Sequence, residues 1–238
     1  MLDFIAQDGP VWVINKPPGI LVQSPPGIDS LVDQIKLHVK QAEGRPEESD
    51  VYVGVPHRLD RPATGAIIFT RNVRAAKRIS EQFQMRTVRK HYWVLVEGLL
   101  PDESGDWEDF LRKVPGIPLA QIVGPKHPEG RWALLHYRVL QRFPDKNCSW
   151  LEVRLETGRT HQIRVQAASR GFPILGDALY GSTIPFGEQF EDERLRAIAL
   201  HSRFIEIKHP TRDERVAFEA PLSETWRDFV SEDFVPDS

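Results

Sequence analysis

The sequence predicts an α+β fold built on a mixed, mainly antiparallel sheet with a few flanking helices and long loops. Short runs of β-branched and aromatic residues, bounded by Pro, Gly, Asn or Asp, recur along the chain. Only two or three segments keep amphipathic helical spacing, and they do not alternate regularly with the strands as a parallel sheet would require. With 238 residues, 40% of them hydrophobic, the chain suffices for one compact domain or two fused lobes.

In chain order, residues 11–14 read as a strand ending at Pro17-Pro18-Gly19, because consecutive prolines cannot extend a ladder and Gly19 accepts a positive φ. Ser30 can cap a helix in which Leu31, Ile35 and Val39 keep four-residue spacing. Residues 41–50 read as irregular. The apolar run 66–69 suits a buried strand, and Asn72 can cap a second helix with Ala76, Ile79 and Phe83 inward. That register turns Arg74, Lys77, Arg78 and Glu81 toward solvent. Further strands are expected at residues 92–96, 133–140, 149–155, 204–208 and 216–218. Residues 113–130, with four prolines and three glycines, read as a long loop, and loops of that length tend to be functional. A last helix can start at a Thr160 cap and place Ile163 and Ala167 inward.

No run approaches the roughly 18 apolar residues of a membrane helix, and the start lacks the layout of a signal peptide, so a cytoplasmic protein without membrane contact is expected. Cys148 is the only cysteine, which excludes an internal disulfide and a thiolate zinc cage. It reads as a half-buried thiol at the start of a strand. Three histidines, His57, His161 and His201, lack the short spacing of metal ligands, and no phosphate-binding glycine loop occurs; neither a metal nor a cofactor is expected. The net charge of −3 excludes a globally basic nucleic-acid clamp. A local patch exists: Arg71, Arg74, Lys77, Arg78, Arg86, Arg89 and Lys90 stand against Glu81 alone. Taken by itself such a run is a solvated helix face. The acidic excess includes the C-terminal segment 223–238.

Two motifs stand out. His57-Arg58-Leu59-Asp60-Arg61-Pro62-Ala63-Thr64-Gly65 is followed, about a hundred residues on, by Thr157-Gly158-Arg159-Thr160-His161-Gln162-Ile163-Arg164. Around them, in order, lie Asn15-Lys16-Pro17-Pro18-Gly19, the run from Lys90 through Tyr92 to Gly98, the run from Gly171 through Asp177 to Gly181, and Leu200-His201-Ser202 with His209-Pro210. This ordered set, spanning about residues 11–222, resembles the RluA-type pseudouridine synthases, which isomerise uridine in RNA without a cofactor. The resemblance implies their sheet around a central cleft, one catalytic domain over residues 1–238, and an RNA stem-loop of transfer or ribosomal RNA as partner. The family-like blocks start by about residue 11, so target choice is expected to rest on the catalytic domain's own loops and basic helix. A monomer is the simplest expectation.

The resemblance also assigns roles. Asp60 is expected to be the catalytic carboxylate, in a loop stiffened by Pro62; a lone Leu-Asp-Arg-Pro would otherwise be read as a turn cap. Arg164 is expected to pair with that carboxylate, as a guanidinium that lowers a carboxylate pKa by typically about 1 to 3 units. Tyr92 is expected to stack on the extruded uracil and assist proton removal, although a strand tyrosine is more often a core residue and Trp93 beside it must face the other way. Arg58 is expected to enter the RNA stack and help eject the base. His57, Arg61, Thr64, Lys90, Arg159, His161 and Gln162 are expected to bind substrate, with Lys113, Lys126 and Arg131 touching it from the long loop. The chain departs from the family where D-x-x-T-S-G becomes Asp60-Arg61-Pro62-Ala63-Thr64-Gly65, and Gln23 and Gln166 stand where histidine is common. The altered Ala63-Thr64 pair leaves open an RNA-binding factor without catalysis; a glycoside-type hydrolase lacks a second carboxylate placed by motif.

Overall fold

The computed structural model describes residues 2–230. Its strands are β1 (Phe4–Asp8), β2 (Val11–Lys16), β3 (Thr64–Thr70), β4 (Arg89–Glu97), β5 (Ser104–Lys113), β6 (Ala120–Val123), β7 (Arg131–Phe143), β8 (Cys148–Leu155), β9 (Leu200–Lys208) and β10 (Arg215–Glu219). The helices are α1 (Leu31–Ala42), α2 (Val73–Gln84), α3 (Gln162–Ser169) and the short α4 (Glu224–Arg227). This is the expected α+β class with a predominantly antiparallel sheet. The described residues divide into two compact units, one of residues 2–89 with Ser202–Pro221, the other of Lys90–His201 with residues 222–230. Of the acidic segment 223–238, residues 231–238 lie outside the described part.

In the first unit the strand order is β1-β2-β3-β9 with β10 beside β9. The β2–β3 pair carries apolar side chains on both faces, because each face has its own helix. Val11, Val13, Ala66 and Ile68 pack with Ile79 of α2, whereas Ile14, Ile67 and Phe69 pack with Leu31, Ile35 and Val39 of α1. Burial on both sides explains why β3 reads as an uninterrupted apolar run. The expected caps form: the Ser30 hydroxyl accepts from the Asp33 N–H at 3.3 Å, and the Asn72 side chain accepts from the Ala75 N–H at 2.8 Å. In α2 it is Ala75, not Ala76, that joins Ile79 as fully buried.

The second unit is an antiparallel β4-β8-β7-β5-β6 ladder. Three strands were not anticipated. β1 is a five-residue strand at the sheet edge with no fully buried side chain, and β5 is rich in acidic and short polar residues and buries only Trp107 and Leu111, on one face. β6 corrects the reading of residues 113–130 as structureless: Ala120–Val123 form a four-residue edge strand on β5. The start of α3 is a second correction. His161, in the left-handed region at φ +51°, takes the cap position in place of Thr160 and makes no side-chain cap bond. Cys148 opens β8 as expected but is fully buried, and burial pushes its thiol pKa up. Among the described residues no helix is long and apolar enough to cross a membrane.

Candidate active site

The loop carrying Asp60 is fastened to the turn after β2 through main-chain carbonyls. Lys16, 1% exposed, donates from Nζ to the carbonyls of Pro17 at 2.9 Å, Arg61 at 2.8 Å and Ala63 at 2.8 Å. Gly19 N–H donates to the Arg61 carbonyl at 3.0 Å, and Arg61 Nε donates back to the Gly19 carbonyl at 2.7 Å. The Ala63 N–H closes a turn onto the Asp60 carbonyl at 3.1 Å. Asp60 therefore sits at the head of a loop in which Arg61 and Ala63 are both held. Burial pushes the Lys16 ammonium down to about 7, while the Asp60 charge draws it upward and Arg61 adds to the lowering. Only the protonated amine has three N–H groups, and all three acceptors are in place. Lys16 was read only as part of a turn block; a buried lysine leaves no mark of its own in a sequence.

The rest of this motif serves the same loop. His57 Nε2 accepts from the Ile68 N–H of β3 at 2.9 Å, which places its proton on Nδ1, and its ring stacks on Phe83 of α2 at 4.6 Å. Arg61 spends its Nε on Gly19, and Arg58 is exposed. Ala63 and Thr64 are 1% and 5% exposed, so the departure from D-x-x-T-S-G lies in the interior at the start of β3. Gly65 has φ +105°, and a Cβ there would lie 2.4 Å from the Ser202 carbonyl oxygen. That contact packs the glycine of the Asp60 motif directly against the segment ending at Ser202.

The second unit organises Arg164 and Tyr92. Register places Tyr92 opposite Val153, Val153 opposite Tyr137, and Trp107 opposite Leu135. Alternation then puts Tyr92 on the same sheet face as Leu111 and Ala133, against which Val165 of α3 packs. Tyr92 is 7% exposed, and Trp93, on the other face, is buried against Trp150 with ring centroids 4.8 Å apart. Arg164 is also buried, at 3% exposure, which rejects the alternative of an ordinary exposed helix arginine. Its Nε and Nη2 donate to the two carboxylate oxygens of buried Asp177 at 2.6 and 2.8 Å. The guanidinium lies over the Tyr180 ring at 5.0 Å from its centroid. The Tyr180 hydroxyl in turn accepts from the Ala120 N–H at 2.9 Å and meets His161 Nδ1 at 2.9 Å. Asp177 and Tyr180 carry no role in the sequence reading; the Gly176-Asp177 and Tyr180-Gly181 pairs were the available signal.

Other expected substrate contacts have structural occupations. The Gln162 side chain, 3% exposed, accepts from the Thr157 hydroxyl at 2.8 Å and the Arg159 N–H at 3.1 Å, and donates to the Leu134 carbonyl at 3.1 Å. Arg159 Nε donates to the Trp132 carbonyl at 2.9 Å. Gln166 is fully buried and donates to the Trp107 carbonyl and to Asp109, so it fastens α3 to β5. Gln23 is exposed. Lys90 is half-buried, its pKa lowered by burial and partly restored by Glu156. Among the described residues no three His, Cys, Asp or Glu side chains are grouped to hold a metal.

A family model described as RNA pseudouridylate synthase matches residues 10–169. A ribosomal large subunit pseudouridine synthase D of Pseudomonas aeruginosa is 33% identical over 231 residues, covering 94% of this chain and 69% of that protein. An uncharacterized RNA pseudouridine synthase of Aquifex aeolicus is 34% identical over 97% of this chain and 72% of its own length. The solved structure of human RNA pseudouridylate synthase domain containing 4 shares the fold, with a TM-score of 0.74 at 21% identity, covering 94% of this chain and 92% of that one. The ordered motifs, the antiparallel sheets and these relatives agree: the chain belongs to the RNA pseudouridylate synthase family, in its RluA branch, and is an isomerase acting on uridine in RNA.

Proposed function

We propose that this enzyme converts uridines of large-subunit ribosomal RNA to pseudouridine, with Asp60 as the catalytic carboxylate. The clamp of Lys16, Gly19 and Arg61 on the Asp60 loop is the observation that carries this reading, because the chemistry needs a rigidly presented carboxylate. Ribosomal rather than transfer RNA is favoured by relatives named as ribosomal large subunit enzymes in three bacteria. In the reaction the uridine leaves its stack, the C1′–N1 bond breaks, the retained base turns, and C5 bonds to C1′. The C5 proton is lost and N1 gains one, so product and substrate are isomers. By family resemblance Tyr92 stacks on the base and assists removal of the C5 proton, and Arg164 orients the carboxylate. Arg58 is exposed, as a residue that enters an RNA stack has to be.

The test is tritium release from ribosomal RNA labelled at uridine C5. Wild type releases tritium, while Asp60→Ala folds, binds the RNA and releases none. Turnover by Asp60→Ala at the wild-type rate would end the assignment.

A further inference from the structure

Helix α2 carries a basic outer face that the uridine chemistry leaves unused. Ala75 and Ile79 are buried and Phe83 is half-buried, which fixes the inward side. Arg74, Lys77 and Arg78 then stand outward as neighbours three and four residues apart, all exposed. Like charges at that spacing repel and weaken a helix. In a chain of net charge −3 carboxylates are plentiful, yet among the described residues none pairs with Arg74 or Lys77. The flanking arginines differ: Arg71 meets Glu43 at 3.1 Å and Arg89 meets Glu206 at 3.5 Å. Arg78 donates to the Pro210 carbonyl and keeps its charge. The fold pairs Arg71 and Arg89 at the ends of the patch and leaves Arg74, Lys77 and Arg78 with Glu81 as the one acid on the helix.

The patch leads to the Asp60 loop. Phe83, in the last turn of α2, stacks on His57, three residues before Asp60. From Arg74 to Arg78 the cations span about 6 Å of helix axis, and Phe83 lies about 7.5 Å further along it. A cluster of exposed cations on the helix whose last turn meets this loop matches the phosphate backbone of a folded RNA. We propose that the outer face of α2, through Arg74, Lys77 and Arg78, holds phosphates of the RNA flanking the target uridine. This rests on Asp60 being the catalytic carboxylate. Contacts of this kind fix register and orientation without reading bases, so they bind neighbouring sequence of any composition.

The test replaces Arg74 and Lys77 together by glutamine, which has nearly the same helix propensity as the residues removed. Binding of deproteinised large-subunit ribosomal RNA is measured from about 50 to 200 mM salt. The double variant is expected to melt no lower than wild type and to bind roughly tenfold more weakly at the low-salt end. The slope of log affinity against log salt should become shallower by about 1.4 to 1.8, two contacts at about 0.7 to 0.9 each. An unchanged slope and affinity would overturn the proposal. So would competition by polyglutamate as effective as that by RNA, since the face would then serve any acidic partner. Tritium release by the wild type and its loss in Asp60→Ala are read on the same RNA. An unchanged slope with that pattern removes the α2 track alone, and a missing wild-type signal removes the catalytic reading instead.

Discussion

The loop bearing Asp60 is held by main-chain carbonyls gathered on one buried ammonium, whereas Arg164 is held by side chains, the carboxylate of Asp177 and the ring of Tyr180. A loop offers carbonyls that no ladder uses, and a lysine can collect several of them at once. A helix has its carbonyls engaged, so a residue on it has to be oriented by partners from outside the helix. The first arrangement tolerates change in the loop's side chains as long as its backbone path is kept. Ala63-Thr64, which departs from the D-x-x-T-S-G motif the loop resembles, is such a change. The second depends on named side chains, and the Gly176-Asp177 and Tyr180-Gly181 pairs that supply them occur together.

The contrast can be broken most forcefully at Asp177. Its replacement by alanine removes the bidentate carboxylate partner of a buried guanidinium, a loss of about 3 kcal/mol that urea unfolding would register. Asp177→Asn, which keeps the shape, should cost less; equal losses would mean that packing rather than charge holds Arg164. Lys16→Met comes next. The Pro17 and Ala63 carbonyls lose this donor and the Arg61 carbonyl keeps only the Gly19 N–H, for an expected loss of about 2 kcal/mol together with reduced turnover as the Asp60 loop loosens. The pH dependence of stability sharpens this prediction. The folded Lys16 pKa of about 7 lies below the unfolded value of about 10.4. Between those values the unfolded chain binds more protons, so this group makes wild-type stability rise from pH about 7 to about 10. The methionine variant should lack that component of the slope, and an identical profile in both proteins would place the Lys16 pKa near its ordinary value.

Tyr180→Phe should have a smaller effect, about 1 kcal/mol. It keeps the ring beneath Arg164 and removes the hydroxyl partner of the Ala120 N–H and of His161. Thermal unfolding would detect it, and Tyr180→Leu should lower turnover further if the ring itself orients the guanidinium. The smallest change is expected at Gln23, where an exposed histidine in its place should leave stability within about 0.5 kcal/mol.

Much of the fold was legible because its signals are local. Ser30 and Asn72 mark helix starts by their own side-chain bonds, and the apolar run of β3 announces a strand covered on both faces. β5 escaped because its signal is an alternation on one face only, with Asp106, Glu108 and Gly105 obscuring Trp107 and Leu111. β6 escaped because four residues on a sheet edge carry almost no periodicity. At the site, the motifs pointed to Asp60 and Arg164, but the residues that hold them were not readable. Lys16 acts through a lysine ammonium that sequence rules place in solvent, and Asp177 reaches Arg164 across thirteen residues without helical spacing. The same limit applies to Gln162, which looks like a substrate contact in its motif and is instead enclosed by Thr157, Arg159 and Leu134.

Catalysis by Asp60 on large-subunit ribosomal RNA, as proposed, leaves its mark in the RNA itself, a pseudouridine at a discrete position. The most direct measurement maps pseudouridine position by position, through a chemical adduct that blocks reverse transcription, in ribosomal and transfer RNA from cells with and without the gene. The expected result is loss of a discrete ribosomal signal, restored by the wild-type chain and not by Asp60→Ala. Restoration by Asp60→Ala would contradict the catalytic assignment, and a signal lost only from transfer RNA would contradict the assignment of the substrate.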